Sequence, residues 1–311
     1  MRKLREHHYL LPTIKDLLDA NDKTRIAHIE KDHWIGYPRA QQALEKLNYL
    51  FSHPKRNRMP NLLIVSPTNN GKTMIIHKFF RDHFPERAKE IVDEEDLLLE
   101  VPVINMQMPS SPDVKRFYLS LMDKLDVYNS MRGRSNIPSF EPSVYREMKK
   151  FNVHMLIIDE IHNILSGTYR QQIEFLNVIR YIGNEAKIPI VGVGTKEAYL
   201  AIRSDPQLEN RFEPFSLPMW QAGNHFDALL ASFTSILPLR KHSNLNQSIV
   251  SEYILTKSEG IIGEMATLIK RAATLAITSK QEYIDMDLLK SIDYQSPSER
   301  RQVFERQLIR D

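Results

Sequence analysis

The residues best suited to chemistry lie in Ser66-Pro-Thr-Asn-Asn-Gly-Lys-Thr73, where a glycine, a lysine and a hydroxyl follow in direct succession. In such a loop, backbone N–H groups and the amino end of the next helix surround phosphate oxygens. The lysine reaches the β and γ phosphates and the hydroxyl can ligate Mg²⁺. Ser66 stands where these loops usually carry their first glycine, so the match is good in place and slightly degenerate in letters. The phosphate-binding set is Ser66, Pro67, Thr68, Asn69, Asn70, Gly71, Lys72, Thr73 and Met74, with Lys72 also a catalytic cation. A chance Gly-Lys-Thr turn at a helix start is the plain alternative.

A second constellation is Asp159-Glu160, two carboxylates emerging from the apolar run Met155-Leu-Ile-Ile158. In an open α/β sheet the carboxyl ends of strands face the ligand crevice. There Asp159 would hold Mg²⁺ and Glu160 would polarise an attacking water. Such a pair alone reads as a helix cap; beside the Lys72 loop the catalytic reading wins. His162, two residues on, reads as a polar surface group. Thr195, after Ile188 to Gly194, fits a sensor of the γ phosphate or the cap of the helix beginning at Lys196. Phosphoryl transfer also needs a cation for the developing charge. Arg211, in Leu208-Glu-Asn-Arg-Phe212, is the candidate, with Arg203 in reserve, against the ordinary fate of a solvated arginine.

These side chains need strands that end beside one another. Apolar runs at 61–65, 101–106, 153–158 and 188–193 are each followed by a helical pattern, the alternation that builds a parallel sheet through right-handed crossovers. The fold class is therefore α/β. Helices are expected over 36–51 (Ala40, Ala43, Leu44, Leu47 and Phe51) and from Ser111 as N-cap (Val114, Phe117, Tyr118, Leu121, Met122 and Leu125). A third is marked by Ile173, Leu176, Ile179 and Ile182. After Pro218 the strand pattern stops and helical patterns follow near 223–236, 247–258, 263–278 and 286–293. The division read from this is an arm, 1–35; a nucleotide-binding α/β domain, 36–218; a helical domain, 219–295; and a charged, solvated tail, 296–311.

With 311 residues, 42% of them hydrophobic, the chain can bury a sizeable core. No run of about 18 apolar residues occurs, and Met1-Arg-Lys-Leu-Arg-Glu-His-His8 leads into no apolar segment with a cleavage site. A cytoplasmic protein with no membrane partner is expected. The absence of cysteine excludes disulfides and thiol nucleophiles, and the 11 histidines show no paired metal spacing, so no structural zinc is expected. A net charge of +3 permits nucleic-acid contact without requiring it.

Beyond these motifs the chain resembles the TniB and TnsC transposition regulators, AAA+ proteins related in function to MuB. The resemblance rests on Trp34-Ile-Gly-Tyr-Pro-Arg-Ala40, Arg58-Met-Pro-Asn-Leu-Leu-Ile-Val65, Thr68-Asn-Asn-Gly-Lys-Thr73, Leu156-Ile-Ile-Asp-Glu-Ile-His162 and Gly194-Thr195. It implies an AAA+ P-loop NTPase with a parallel five-stranded sheet and a small C-terminal helical lid, using ATP and Mg²⁺. It implies that Trp34, Ile35 and Tyr37 wall the adenine pocket, where the plain reading is a staple between arm and core. It also implies that Arg211 acts as a finger in the adjacent subunit's site. Ala266, in Gly263-Glu-Met-Ala266, stands where such lids carry a sensing arginine, which points to slow or partner-stimulated hydrolysis.

The partners implied are duplex DNA, a transposase, a TniQ-like targeting protein and further copies of the chain in a ring or helical filament. DNA contacts are expected from Lys115, Arg116 and Lys124 on one helix, and from Arg132 and Arg134 in Ser130-Met-Arg-Gly-Arg-Ser135, each weighed against a solvated surface charge. A helicase loader or replication initiator, and a nucleotide-gated DNA scaffold with negligible turnover, are the competing readings.

Overall fold

The computed structural model describes residues 7–83, 101–125 and 137–308. They form two compact units. One comprises 39–68 and 72–217, the other 7–38, 69–71 and 218–308.

The first unit is built on five parallel strands: β1 (Asn61–Val65), β2 (Val103–Gln107), β3 (Met155–Asp159), β4 (Ile190–Gly194) and β5 (Phe212–Ser216), in the order β2-β3-β4-β1-β5. The three inner strands are apolar runs because both of their faces are covered, as parallel sheets require. Strands β2, β3 and β4 each begin two residues later than the apolar runs suggest. Val153 and Ile188 are buried but lie just ahead of the strands. Asp159 is consequently the last residue of β3 rather than the first beyond it.

Strand β5 has no apolar run to mark it. Its sequence, Phe-Glu-Pro-Phe-Ser, buries only Phe212 and Phe215, and Pro214, which cannot donate to a ladder, is tolerated because β5 is an edge strand paired to β1 alone.

Around the sheet lie α1 (Pro38–Phe51), α2 (Lys72–His83), α3 (Val114–Lys124), α4 (Ile137–Lys150), α5 (Tyr169–Glu185), α6 (Lys196–Arg203) and the single turn α7 (Pro206–Glu209). Helix α3 starts later than the sequence suggests. Asp113, in extended conformation, is the N-cap and its carboxylate accepts from the Arg116 N–H at 2.9 Å, while Ser111 lies outside the helix. Helix α5 opens with a capping box in which Thr168 and Gln171 satisfy each other's backbone. Its buried face is Phe175, Leu176, Ile179 and Ile182; Ile173 is exposed.

The second unit is helical: α8 (Asn224–Ile236), α9 (Ser248–Ser258), α10 (Ile262–Thr278), α11 (Met286–Ser291) and α12 (Pro297–Leu308), preceded in the chain by a helix over Asp22–Glu30. Phe226, Leu230, Phe233, Ile254, Met265, Leu268 and Ala272 form its core, joined by Ile29. Arg25 is fully buried in this unit. Its guanidinium donates to both Glu282 carboxylate oxygens and to the Pro238 carbonyl, so every charged atom is matched. Within the charged segment expected to be a solvated tail, Pro297–Leu308 are helical. None of the residues of α12 is buried, and it is held by Lys257–Glu299 and Arg300–Glu264 ion pairs, each at 2.8 Å.

Candidate nucleotide site

In the α/β unit, β1 delivers Ser66 straight into the loop, and the Ser66 N–H donates to the Gly194 carbonyl at 3.1 Å, tying the end of β1 to that of β4. Lys72, the first residue of α2, is buried. Its ammonium donates to the Ser66 carbonyl (3.1 Å), the Ser66 hydroxyl (3.2 Å) and the Pro67 carbonyl (2.8 Å). Burial pulls the Lys72 pKa down, and the negative charges of Glu160 and Asp159 oppose that pull. The next residue, Thr73, lies exposed with its hydroxyl 3.4 Å from Asp159 Oδ2. Thr68 is exposed and Met74 half-buried beside them.

A hydroxyl beside a single carboxylate is a hard oxygen pair of the kind Mg²⁺ takes when phosphates supply its remaining ligands. Among the described residues no group of three or more acidic, histidine or cysteine side chains is placed to hold a metal ion. Asp159 Oδ1 accepts from the Glu160 N–H at 2.8 Å, leaving Oδ2 toward Thr73.

Glu160 has left-handed backbone angles (φ 54°, ψ 35°), uncommon for a residue with a side chain. The turn reverses the chain into a tight helix, Ile161–Ser166, which brings His162 back alongside: its Nε2 is 3.2 Å from Glu160 Oε2. Reading His162 as a mere surface group missed this contact. The only signal in the sequence was its spacing, two residues past the carboxylate. Thr195 occupies the N-cap position of α6 without capping it; its hydroxyl donates instead to the Glu197 carboxylate, and this bond, ahead of other causes, holds the Glu197 pKa down.

At the opposite, amino edge of the same sheet, Arg211 immediately precedes β5, and its carbonyl accepts from the Asn61 N–H at 2.9 Å. Its guanidinium donates to Asn184 Oδ1 at 2.8 Å. With Arg56, Arg58, Met59, Pro60, Gln207 and Asn210 it lines a cavity of about 470 Å³ that contains no carboxylate. Burial first, then the charges of Arg58 and Arg180, depress the Arg211 pKa. Arg203 is exposed and lies 3.7 Å from Glu209.

The loop's middle residues group with the helical unit. The Asn69 carbonyl accepts from the Gly263 N–H at 3.0 Å, Asn70 Oδ1 from the Ile262 N–H at 3.4 Å, and Asn70 Nδ2 donates to the Pro218 carbonyl at 3.1 Å. The two asparagines thus bind the start of α10. Asn69 and Gly71 have positive φ, and a Cβ on Gly71 would stand 3.5 Å from the Tyr37 hydroxyl.

Tyr37 packs edge-on against Trp220 at 5.0 Å, and burial raises its pKa to about 12. Ile35 joins the helical core and Trp34 is half-buried. Ala266 packs against that core. Arg300 of α12 bonds Glu264 in the first turn of α10 at 2.8 Å, and Glu264 also accepts from Asn69 Nδ2 (3.3 Å) and the Tyr294 hydroxyl (2.6 Å). A cation therefore reaches the α10 start from a distant helix, which motif spacing does not reveal.

Lys115, Arg116 and Lys124 are exposed on α3, whose other face buries Phe117, Tyr118, Leu121 and Met122. Arg132 and Arg134 lie outside the described residues. No described helix is long and apolar enough to cross a membrane.

Comparison with solved structures finds the Aeropyrum pernix ORC2 protein in its ADPNP-ADP complexes at 16% identity and a TM-score of 0.57, covering 85% of this chain and 70% of that one. The A. pernix ORC1 protein in complex with DNA matches at 14% identity and 0.53, covering 86% and 68%. Cdc6p from Pyrobaculum aerophilum matches at 14% and 0.54, covering 83% and 67%. These likenesses show the fold alone, a parallel α/β sheet followed by a helical region. A comparison with curated proteins finds no match. The family profile of the bacterial TniB proteins matches residues 25–222, and the chain belongs to that family.

Proposed function

We propose that this TniB-family chain hydrolyses ATP at sites shared between neighbouring copies of itself, assembled on duplex DNA to select target DNA and recruit a transposase. The observation that carries the reading is the convergence of Lys72, Thr73, Asp159 and Glu160 at the carboxyl ends of β1 and β3. Lys72 neutralises the β and γ phosphates. Thr73 and Asp159 would hold Mg²⁺, which would supply further charge neutralisation when bound. Glu160 accepts a proton from water as the water oxygen bonds to the γ phosphorus and the bond to the β–γ bridging oxygen breaks, giving ADP and phosphate. Trp34, Ile35 and Tyr37 take the adenine, and Thr195 reads the γ phosphate.

Arg211 serves a neighbour's site. Register supports this: Asn61 pairs with Phe212 and Val65 with Ser216, so Arg211 sits at one end of β1 and Ser66 at the other. Arg211 lies level with Pro60, six residues before Ser66, and six rises of about 3.3 Å each separate the two ends by roughly 20 Å, too far for a guanidinium to reach its own chain's loop. Lys115, Arg116 and Lys124, with Arg132 and Arg134, contact DNA phosphates, and a TniQ-like protein and the transposase are the protein partners. A cytoplasmic setting follows from these partners.

The test is ATP binding and phosphate release, with and without duplex DNA, for Lys72→Ala and Glu160→Gln. Lys72→Ala should lose nucleotide binding. Glu160→Gln should bind ATP as the parent does, turn over on the order of 10² to 10⁴ times more slowly, and persist on DNA. Parent-rate hydrolysis by Glu160→Gln would end this reading.

A further inference from the structure

His162 is held in one orientation. Its Nδ1 is buried and has no hydrogen-bond partner among the described residues, and it lies so close to Gly194 that a Cβ there would stand 3.0 Å from it. A Cβ there would also stand 2.9 Å from the Ala198 Cβ, so the ring, Gly194 and the start of α6 are closely packed. Neither a proton nor a lone pair on Nδ1 has a partner, so that nitrogen does not choose between the tautomers and Nε2 does. On Nε2 the proton faces Glu160 Oε2 at 3.2 Å. These partners assign the ring proton to Nε2, which donates to the carboxylate.

The backbone enforces the pairing. The left-handed turn at Glu160, closed by a 2.9 Å bond from the Asn163 N–H to the Glu160 carbonyl, folds residue 162 onto residue 160, and Ile161 packs beneath Gly192.

We propose that His162 is a positioning residue for Glu160, holding Oε2 through Nε2–H so that Oε1 alone is presented to the attacking water. The inference rests on the reading of Glu160 as the base. A carboxylate 37% exposed on a flexible side chain samples many rotamers, and a base must sit within hydrogen-bond reach of its proton before its basicity counts. One charge-assisted hydrogen bond from a wedged imidazole removes most of that freedom without neutralising the carboxylate.

The test compares His162→Ala, His162→Gln, Glu160→Gln and the double variant His162→Ala/Glu160→Gln, measuring kcat at saturating ATP and nucleotide Kd. His162→Ala should lower kcat about 10- to 100-fold with Kd within about twofold of the parent. His162→Gln, whose side-chain amide can stand in for Nε2–H, should recover most of the loss. The double variant should turn over no more slowly than Glu160→Gln alone, since a residue acting only through Glu160 has nothing left to position. Parent-like kcat in His162→Ala, with Glu160→Gln inactive, would overturn the inference and leave the proposed function intact. Equal loss of binding and turnover, without rescue by glutamine, would also overturn it, as the signature of a merely structural role. Parent-like turnover in Glu160→Gln would instead remove the reading on which it rests.

Discussion

The two ends of the sheet answer the same question differently. At the carboxyl edge every functional side chain has a partner within the unit: Lys72 on Ser66 and Pro67, Thr73 on Asp159, His162 on Glu160, Thr195 on Glu197. At the amino edge Arg56, Arg58 and Arg211 line one cavity with no carboxylate among its described lining residues, and Asp205 offsets the Arg211 charge only after burial and the charges of Arg58 and Arg180 have acted on it. A site that binds and reacts must have its groups oriented before substrate arrives. A surface built to meet an anion keeps its charge uncommitted. In the proposed function one edge is the workplace and the other the supply.

The strongest way to break that contrast is Arg211→Ala. Loss of a finger in trans costs about 10³- to 10⁵-fold in turnover, and mixing this variant with Lys72→Ala should restore part of it, because intact fingers then meet intact pockets. No rescue, with co-assembly demonstrated, would mean that Arg211 serves its own chain and that the amino edge supplies nothing. A smaller effect should follow from Arg58→Ala. Exposed and like-charged beside Arg211, it should contribute roughly 1 kcal/mol of screened attraction, seen as a several-fold fall in DNA-stimulated ATPase that Arg58→Lys largely restores. The smallest change sorts nucleotide phosphates from DNA phosphates. Replacing Lys115, Arg116 and Lys124 by Ala one at a time should each reduce the salt slope of DNA binding by about 1. If Arg56 and Arg58 move that slope instead, the amino edge is the DNA surface and the comparison must be redrawn.

Much of this arrangement is visible in the sequence. The Lys72 loop and the Asp159-Glu160 pair declare themselves because each follows an apolar run, and in a doubly covered sheet such runs have few other readings. Strand β5 is silent because an edge strand needs only one buried face and admits Pro214. Helix α4 is likewise unmarked, with Pro142 inside it. The Asn69-Asn70 doublet stands out as a motif, but its bonds to Ile262 and Gly263 join residues nearly 200 positions apart, which no local spacing encodes. The same holds for Arg300 at Glu264. His162 falls between these cases: it is local, but its contact depends on a backbone conformation that residue type did not announce.

That conformation also bears on how durable the protein is. A glutamate held left-handed raises the energy of the folded state by about 1–2 kcal/mol, and glycine at the same place would carry no such burden. Position 160 is therefore one where the functional sequence and the most robust sequence diverge. A search for heat-resistant variants of this chain would drift toward glycine or asparagine there and discard the proposed base in doing so. If Glu160 is that base, a selection for toughness alone would remove the residue on which turnover depends.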